Sequence, residues 1–98
     1  MITVFSKDNC IYCKKTQFFL NELNIKYEQI KLDLNNSNDK ETVFNLKTKY
    51  NHHTFPFIII NYNLPDEIFI GGFSDLENSY NTMYLHKLIN LTDINVDF

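Results

Sequence analysis

Two cysteines three positions apart are the residues of this chain most suited to chemistry. Cys10 and Cys13 are its only cysteines and form a C-x-x-C motif. A β-forming run at residues 2–5 precedes the motif, and an amphipathic stretch over residues 11–24 begins inside it. Cys10 is therefore predicted to lie where a strand ends and a helix begins. Unpaired N–H groups and the helix dipole stabilise a thiolate there, and the pKa of a cysteine can fall from about 8.5 to roughly 3.5–7.5. We interpret Cys10 as a nucleophile and Cys13 as the resolving thiol.

Length and composition limit the class of protein. The chain has 98 residues, 44% of them hydrophobic, with nine Phe and six Tyr, which predicts one packed domain over residues 1–98. The formal net charge is −3, without a basic stripe or tail, so no nucleic-acid partner is expected. The longest apolar run, residues 55–60, is too short for a membrane span, and the start of the chain predicts no signal peptide. A C-x-x-C pair in such a chain favours redox chemistry in the cytoplasm over a structural disulfide.

Hydrophobic periodicity predicts an α/β arrangement of seven elements. The predicted strands cover residues 2–6, 27–34, 57–60 and 67–70, and the predicted helices cover residues 11–24, 38–50 and 74–91. The first strand, helix and strand are joined tightly, so their two strands should be parallel. The last two strands form a hairpin around the turn at Tyr62–Asp66. These elements predict a four-stranded mixed sheet with helices on both faces.

Side-chain patterns predict how the helices begin and which faces they bury. Asn38 with Glu41, and Ser74 with Glu77, have the spacing of capping pairs. In the first helix, the side chains predicted to face water are Lys14, Lys15, Gln17 and Asn21. The apolar helix residues predicted to face the core are Phe18, Phe19, Leu20, Leu23, Val43, Leu46, Tyr50, Leu76, Tyr80, Met83 or Tyr84, Leu88 and Leu91.

Two further segments accompany the cysteine pair. Thr54-Phe55-Pro56 places a proline directly before a buried strand, and Gly71-Gly72-Phe73-Ser74-Asp75 opens the last helix. A glycine pair allows a ligand to approach the main chain closely. The N–H groups of the helix start suit a carboxylate, and the Asp75 side chain can pair with an ammonium group. The second segment therefore indicates a site for a ligand that carries both charges.

Taken in order, C-x-Y-C, T-x-P and the glycine pair with Ser-Asp resemble the dithiol glutaredoxins of the thioredoxin-fold superfamily. The resemblance extends over about residues 2–91. It implies an α/β, thioredoxin-like fold with a four-stranded mixed sheet in strand order 2-1-3-4, flanked by three main helices. It also implies a cis peptide bond before Pro56.

The resemblance implies glutathione as a co-substrate. In the family, the backbone before the proline holds the cysteinyl part of glutathione, and the Ser-Asp pair receives the γ-glutamyl group. A lysine near the first cysteine meets the glycine carboxylate, and the aromatic residue between the cysteines flanks the sulfur. The catalytic residues implied are Cys10 and Cys13. The glutathione-binding residues implied are Lys7, Tyr12, Thr54, Phe55, Pro56, Gly72, Phe73, Ser74 and Asp75.

The implied reaction is thiol–disulfide exchange on disulfide-bearing or glutathionylated protein targets. Cys10 attacks, Cys13 resolves protein disulfides, and glutathione supplies the electrons. The protein is expected to act as a monomer, without a metal and without a membrane partner.

Five features depart from the family pattern, and one of them is the Tyr62–Asp66 loop, which is several residues longer than usual. Ile11 stands where the family usually has proline, which is preorganised for a helix start. His53 and Val43 stand where a basic residue and a glutamine are common. The chain also contains no arginine, so it has no bidentate clamp for a carboxylate.

Several alternatives remain open from the sequence. The cysteines could form half of a zinc site with His52 and His53, or an inert buried pair. Gly71-Gly72 could be only a tight turn, and Asp75 only a favourable charge at a helix start. Two other functions compete: a carrier of a [2Fe–2S] cluster shared by two chains through Cys10 and glutathione, and a redoxin reduced by thioredoxin reductase.

Overall fold

The computed structural model describes residues 1–89, which form one four-stranded sheet with helices on both faces. The strands are β1 (Ile2–Lys7), β2 (Tyr27–Leu32), β3 (Phe57–Ile60) and β4 (Ile68–Gly71). The helices are α1 (Ile11–Glu22), α2 (Ser37–Tyr50), α3 (Phe73–Asn81) and α4 (Tyr84–Leu88). The strand order is β2-β1-β3-β4, with β1 parallel to β2 and antiparallel to β3. The predicted α/β class and the order 2-1-3-4 are confirmed. No helix within the described part of the chain is long and apolar enough to cross a membrane.

The central strands β1 and β3 are buried on both faces. Their alternating side chains divide between two apolar clusters because successive residues of a strand point to opposite faces. One cluster, on the side of α1, α3 and α4, contains Ile2, Val4, Leu20, Ile25, Ile58, Ile60, Leu76, Leu85 and Ile89. The other, on the side of α2, contains Phe5, Leu32, Val43, Leu46, Phe57 and Ile59. Two apolar layers therefore fix the position of β1, whose end leads to Cys10.

The buried face of α1 differs from the predicted one. Leu20 is fully buried, and Phe19 and Leu23 pack at the margin of the core. Phe18 was expected in the core but is 68% exposed. Its place on the inner face is taken by Thr16, whose hydroxyl donates to the Tyr12 carbonyl at 2.8 Å and which is completely buried. A polar residue thus occupies the core because its hydrogen bond is satisfied within the helix.

The last predicted helix is two helices. α3 ends at Asn81, Thr82 closes it, and Met83 adopts a φ of 65° before α4 begins. The left-handed residue interrupts the helical spacing, so the prediction of one helix over residues 74–91 was wrong. Tyr84 was also expected in the core but is exposed, whereas Leu85 is fully buried instead. The predicted core position of Leu91 lies outside the described residues.

The start of α2 also differs from the predicted capping pair. Asn36, not Asn38, caps α2, and its side chain accepts from the N–H groups of Asn38 and Asp39 at 2.9 and 3.1 Å. An asparagine two residues earlier offers the same cap and lengthens the helix by one residue. β2 ends at Leu32 because the Asp33 N–H donates to the Asp39 carboxylate at 2.8 Å instead of continuing the strand.

A cluster at the end of α2 fixes the turn before β4. Glu67 forms an ion pair with Lys49 at 3.0 Å and accepts from the Asn63 N–H at 2.9 Å. Burial opposes ionisation of Glu67. The hydrogen bonds from the Asn63 N–H and from the side chains beside Glu67, Lys49 among them, outweigh this effect and lower the pKa of Glu67. The Tyr50 ring stacks on Phe69 with centroids 4.4 Å apart. Burial, reinforced by the adjacent Glu67 carboxylate, raises the pKa of Tyr50 to about 12.

We expect this cluster to make stability depend on pH in alkaline solution. The folded state holds the Tyr50 proton up to about pH 12, whereas the unfolded chain releases it near the ordinary value of 10.0. The stabilisation from neutral Tyr50 is therefore fully present below pH 10.0 and is lost as pH rises towards 12. The midpoint of urea unfolding should be measured from about pH 9 to 12. It should fall more steeply with rising pH for the wild type than for Tyr50→Phe.

The exposed Tyr84 supplies the control. Tyr84→Phe removes a phenol without touching the cluster, so its midpoints should follow those of the wild type. Equal slopes for Tyr50→Phe and the wild type would contradict the assignment of a raised pKa to Tyr50.

Candidate active site

The cysteine pair lies at the start of α1, as predicted. β1 ends at Lys7, and Asp8 and Asn9 turn the chain, Asn9 with a φ of 55°. Cys10 is the N-cap of α1, and its Sγ accepts from the Cys13 N–H at 3.2 Å. The two sulfurs are joined in a disulfide, with Cα atoms 5.3 Å apart. Cys10 takes the place that serine or asparagine usually takes in capping a helix, so its sulfur faces backbone N–H groups.

The pair lies near the surface without being widely exposed. Cys10 is 8% and Cys13 7% exposed. Neighbouring Tyr12 and Ile11 are largely exposed, so the helix start itself faces solvent. Both cysteines are therefore largely shielded, which limits the directions from which a thiol can approach.

A cleft beside the cysteine motif brings the three sequence motifs together. It has a volume of about 330 Å³. Its walls come from the first turn of α1, the loop before β3 and the junction of β4 with α3. The residues that line it are Tyr12, Thr54, Phe55, Gly72, Phe73 and Ser74. Six of the nine predicted binding residues thus meet in one concave surface, although they come from three separate parts of the chain.

The loop before β3 forms one wall of the cleft. The Phe55–Pro56 peptide bond is cis, as the resemblance implied. Pro56 is buried, whereas Phe55 is half-buried and Thr54 exposed. The Lys7 Nζ atom lies 5.5 Å from the centroid of the Phe55 ring, which is within the range of a cation–π contact. Lys7 is therefore beside the cleft and at the end of β1, next to the cysteine loop.

The junction of β4 and α3 forms the opposite wall. α3 begins at Phe73, and Asp75, not Ser74, provides the cap: its Oδ2 accepts from the Gly72 N–H at 2.9 Å. The predicted pair of Ser74 and Glu77 was wrong because the Asp75 carboxylate already takes the N–H of the residue before the helix. The Ser74 N–H belongs to the first turn of α3, in which backbone N–H groups have no helical partner.

The structure allows both interpretations of Asp75. One of its oxygens caps α3, and the side chain remains exposed at the edge of the cleft. Asp75 itself does not line the cleft, so its role toward a ligand stays a prediction.

A second concave surface on the other side of the cysteines was not predicted. It is polar, has a volume of about 260 Å³ and is lined by both cysteines together with Ser6, Lys7, Asp8, Asn9, Lys14, Gln17, Gln29 and Lys31. Gln29 donates to the Ser6 hydroxyl at 3.0 Å, and Lys31 pairs with Asp8 at 2.7 Å. The hydrogen bond to Asp8 raises the pKa of Lys31. Strand spacing alone could not reveal this surface, because it depends on the register that sets Ser6 opposite Lys31.

The two histidines do not join the cysteines. The His52 ring packs edge-on against Phe57 and Phe69, with centroids 5.0 and 5.3 Å away, while His53 is exposed. His52 Nε2 is 3.5 Å from the Thr54 hydroxyl, so it supports the wall of the cleft. Residues 1–89 contain no group of three or more His, Cys, Asp or Glu side chains placed to hold a metal ion.

The strand order, the cis bond and the helix-capping cysteine define a protein of the thioredoxin-like fold with a redox-type cysteine pair. The family model named Glutaredoxin matches residues 2–64, which is more than half of the chain. The chain therefore belongs to the glutaredoxin family.

Solved structures agree with this assignment. A dithiolic glutaredoxin from Trypanosoma brucei brucei is 30% identical, with a TM-score of 0.74 over 91% of this chain and 86% of that one. A buckwheat glutaredoxin–glutathione complex is 24% identical, with a TM-score of 0.76 over 89% and 74%. The holo form of glutaredoxin C1 from Populus tremula x tremuloides is 24% identical, with a TM-score of 0.74 over 89% and 73%. A comparison with curated protein sequences gave no match.

The glycine pair gives a test of how the cleft wall is built. Gly71 has a φ of +122°, and a Cβ there would overlap the Asp75 carboxylate. Gly72 has an ordinary φ of −95°, and its Cβ would make only ordinary contacts, with His52 at 3.6 Å and the Pro56 carbonyl oxygen at 3.9 Å. We expect Gly71→Ala to lose about 1–3 kcal/mol of unfolding free energy, and Gly72→Ala to stay within about 1 kcal/mol of the wild type.

Urea denaturation of the two variants under identical conditions provides the measurement. Gly72→Ala is the control for Gly71→Ala, because both variants add the same methyl group at adjacent positions. A loss for Gly72→Ala as large as that for Gly71→Ala would contradict this account of the β4–α3 junction.

Proposed function

We propose that this glutaredoxin is a glutathione-dependent thiol–disulfide oxidoreductase that reduces protein disulfides and glutathione mixed disulfides. The observation that carries the proposal is the position of Cys10. Its Sγ caps a helix and accepts an N–H hydrogen bond, and its motif contributes Tyr12 to a cleft that unites three motifs. A thiolate at that place is stabilised by the helix dipole and by backbone donors, so it is available as a nucleophile near neutral pH.

On a glutathionylated target, the Cys10 thiolate attacks the glutathione sulfur. The bond between target and glutathione breaks, the target leaves as a thiolate and takes up a proton, and a Cys10–glutathione disulfide forms. The thiolate of a second glutathione attacks the glutathione sulfur, which releases glutathione disulfide and restores the Cys10 thiolate. The second glutathione is oxidised and the target sulfur is reduced, while the first glutathione passes from one disulfide to the other without a change of oxidation state, so no other oxidant or reductant is needed.

On a protein disulfide, Cys10 forms a mixed disulfide with one target sulfur and releases the other. Cys13 then attacks Cys10, which frees the reduced target and leaves the Cys10–Cys13 disulfide. The Cα separation of 5.3 Å is within the range of ordinary disulfides and supports this step. Two glutathiones reduce the pair again. Glutaredoxin potentials of about −200 to −230 mV suit such exchange in a reducing cytoplasm.

Glutathione lies along the cleft in this proposal. The Phe55 backbone pairs with its cysteinyl residue, and the first-turn N–H groups of α3 receive the γ-glutamyl carboxylate. The exposed Asp75 side chain meets the γ-glutamyl ammonium, and Lys7 meets the glycine carboxylate. The glutathione complex of the buckwheat structure supports this choice of co-substrate.

The two cysteines should differ in an activity assay. We expect Cys10→Ser to abolish reduction of a small glutathione mixed disulfide, because no nucleophile remains. Cys13→Ser should retain substantial activity, because a second glutathione regenerates Cys10 directly. Oxidation of NADPH by glutathione reductase in the presence of glutathione gives the rate.

Two controls sharpen this assay. A disulfide-bonded protein substrate should respond to Cys13→Ser with a larger loss than the mixed disulfide, since resolution then needs Cys13. Thioredoxin reductase without glutathione should support little turnover, and rapid turnover there would favour a thioredoxin-type redoxin. An equal loss in both cysteine variants would refute the assigned roles.

The reactivity of Cys10 should also have a distinctive pH profile. We expect reduced Cys13→Ser protein to react with iodoacetamide with a midpoint below the pKa of free cysteine, about 8.5. In Cys10→Ser protein the remaining thiol is that of Cys13, and it should react with iodoacetamide more slowly across the same pH range. A midpoint for Cys10 at or above that of free cysteine would contradict the helix-start stabilisation.

A further inference from the structure

An apolar groove runs along the outer face of α1, beyond the cysteine pair. It has a volume of about 440 Å³, and its apolar walls are Ile11, Phe18, Phe19, Leu23 and Phe73. We call it the α1 groove. Ile11 is 69% and Phe18 68% exposed. The two lie seven residues apart and so share one face of the helix. Exposed apolar surface of this kind is typical of a binding site.

The α1 groove is continuous with the cleft of the candidate active site. Phe73 lines both, and its ring lies 6.3 Å from that of Tyr12 and 5.9 Å from that of Phe19, centroid to centroid. Ile11 directly follows Cys10. A polypeptide whose sulfur reaches Cys10 therefore has the groove immediately beside it.

The rim of the groove near the cysteines is cationic. Lys14 and Lys15 line this end, and Glu22 lies at the far end, about two turns along the helix. The Lys15 Nζ atom is 5.1 Å from the centroid of the Tyr12 ring, which holds it next to the cleft. Within residues 1–89, neither lysine forms an ion pair. Their charges are thus available to carboxylates of a partner.

We propose that the α1 groove is a docking site for a segment of a disulfide-bearing or glutathionylated protein target that carries a bulky apolar side chain and neighbouring acidic residues. This inference rests on the proposed function and specifies which targets it favours. Phe18 lies eight residues after Cys10, about 12 Å of helix rise. An extended peptide covers that distance in about four residues. The apolar side chain therefore lies within about four positions of the target cysteine.

Three synthetic peptides, each glutathionylated on a single cysteine, test the proposal. The first has phenylalanine four positions from the cysteine and two glutamates between them. The second replaces the phenylalanine with serine, and the third replaces both glutamates with lysine. We expect kcat/KM for the first peptide to exceed that for either of the others by about three- to tenfold. Added salt should reduce the advantage over the third peptide.

Two exposed phenylalanines provide a matched pair of variants. Phe18 and Phe44 are each 68% exposed, but Phe44 lies on α2, away from the groove. Phe18→Ser should remove the preference for the first peptide over the second, and Phe44→Ser should retain it. Both should reduce the mixed disulfide of cysteine and glutathione at the wild-type rate, which shows that the reaction itself is intact. An unchanged preference in Phe18→Ser overturns the inference while the proposed function stands.

A binding measurement keeps the inference testable if no peptide is reduced, an outcome that would refute the proposed function alone. The first peptide with serine in place of cysteine is titrated into isotope-labelled protein. NMR chemical-shift changes of the backbone amides around Ile11, Phe18 and Phe73 would support the groove as the docking site. Chemical-shift changes confined to other residues, or no changes, would overturn the inference. Sedimentation of the free protein measures its oligomeric state and so tests whether a second copy of the chain occupies the α1 groove. A dimer broken by Phe18→Ser and not by Phe44→Ser would also overturn the inference.

Discussion

The double burial of β1 is the constraint on which the rest of the structure depends. Its side chains alternate between two apolar clusters, Ile2 and Val4 on one face and Phe5 on the other. It also pairs with β2 in one direction and with β3 in the other, so it can neither rotate nor slide without losing both layers. The chain leaves this strand directly into the cysteine loop. The position of Cys10 is therefore set by the most heavily packed strand of the protein, and its neighbours in the cleft are brought by the strands beside it.

The sequence was sufficient for the elements that repeat a simple pattern and for the motifs whose chemistry is local. Alternation predicted β1 and β2, a continuous apolar run predicted β3, and the turn that follows it predicted β4. A cysteine at the junction of a strand and a helix predicted the capping sulfur. The errors arose where one local interaction replaced another of similar strength. Asn36 capped α2 in place of Asn38, and Asp75 took the role expected of Ser74. Met83 broke a spacing that continued on both sides of it. Helical periodicity could not show that Phe18 lies outside the core, because Thr16 fills the inner face.

The cysteine pair lies between two surfaces of different composition. On one side lies the cleft formed by Tyr12, the cis-proline loop and the start of α3, and on the other lies a polar surface with Lys14, Gln29 and Lys31. Lys7 borders both, since it contacts the Phe55 ring and also lines the polar surface. Because Cys10 is only 8% and Cys13 only 7% exposed, these two surfaces restrict the directions from which a thiol can approach.

The cysteine pair encloses very little chain, since its members are three positions apart. The entropy that a cross-link removes from an unfolded polypeptide grows with the length of the loop it closes. This bond therefore restricts the unfolded chain only slightly, and the folded state is maintained by its two apolar layers. Under the proposed function, the bond opens and closes as a chemical event confined to one helical turn, and the two apolar layers maintain the rest of the fold.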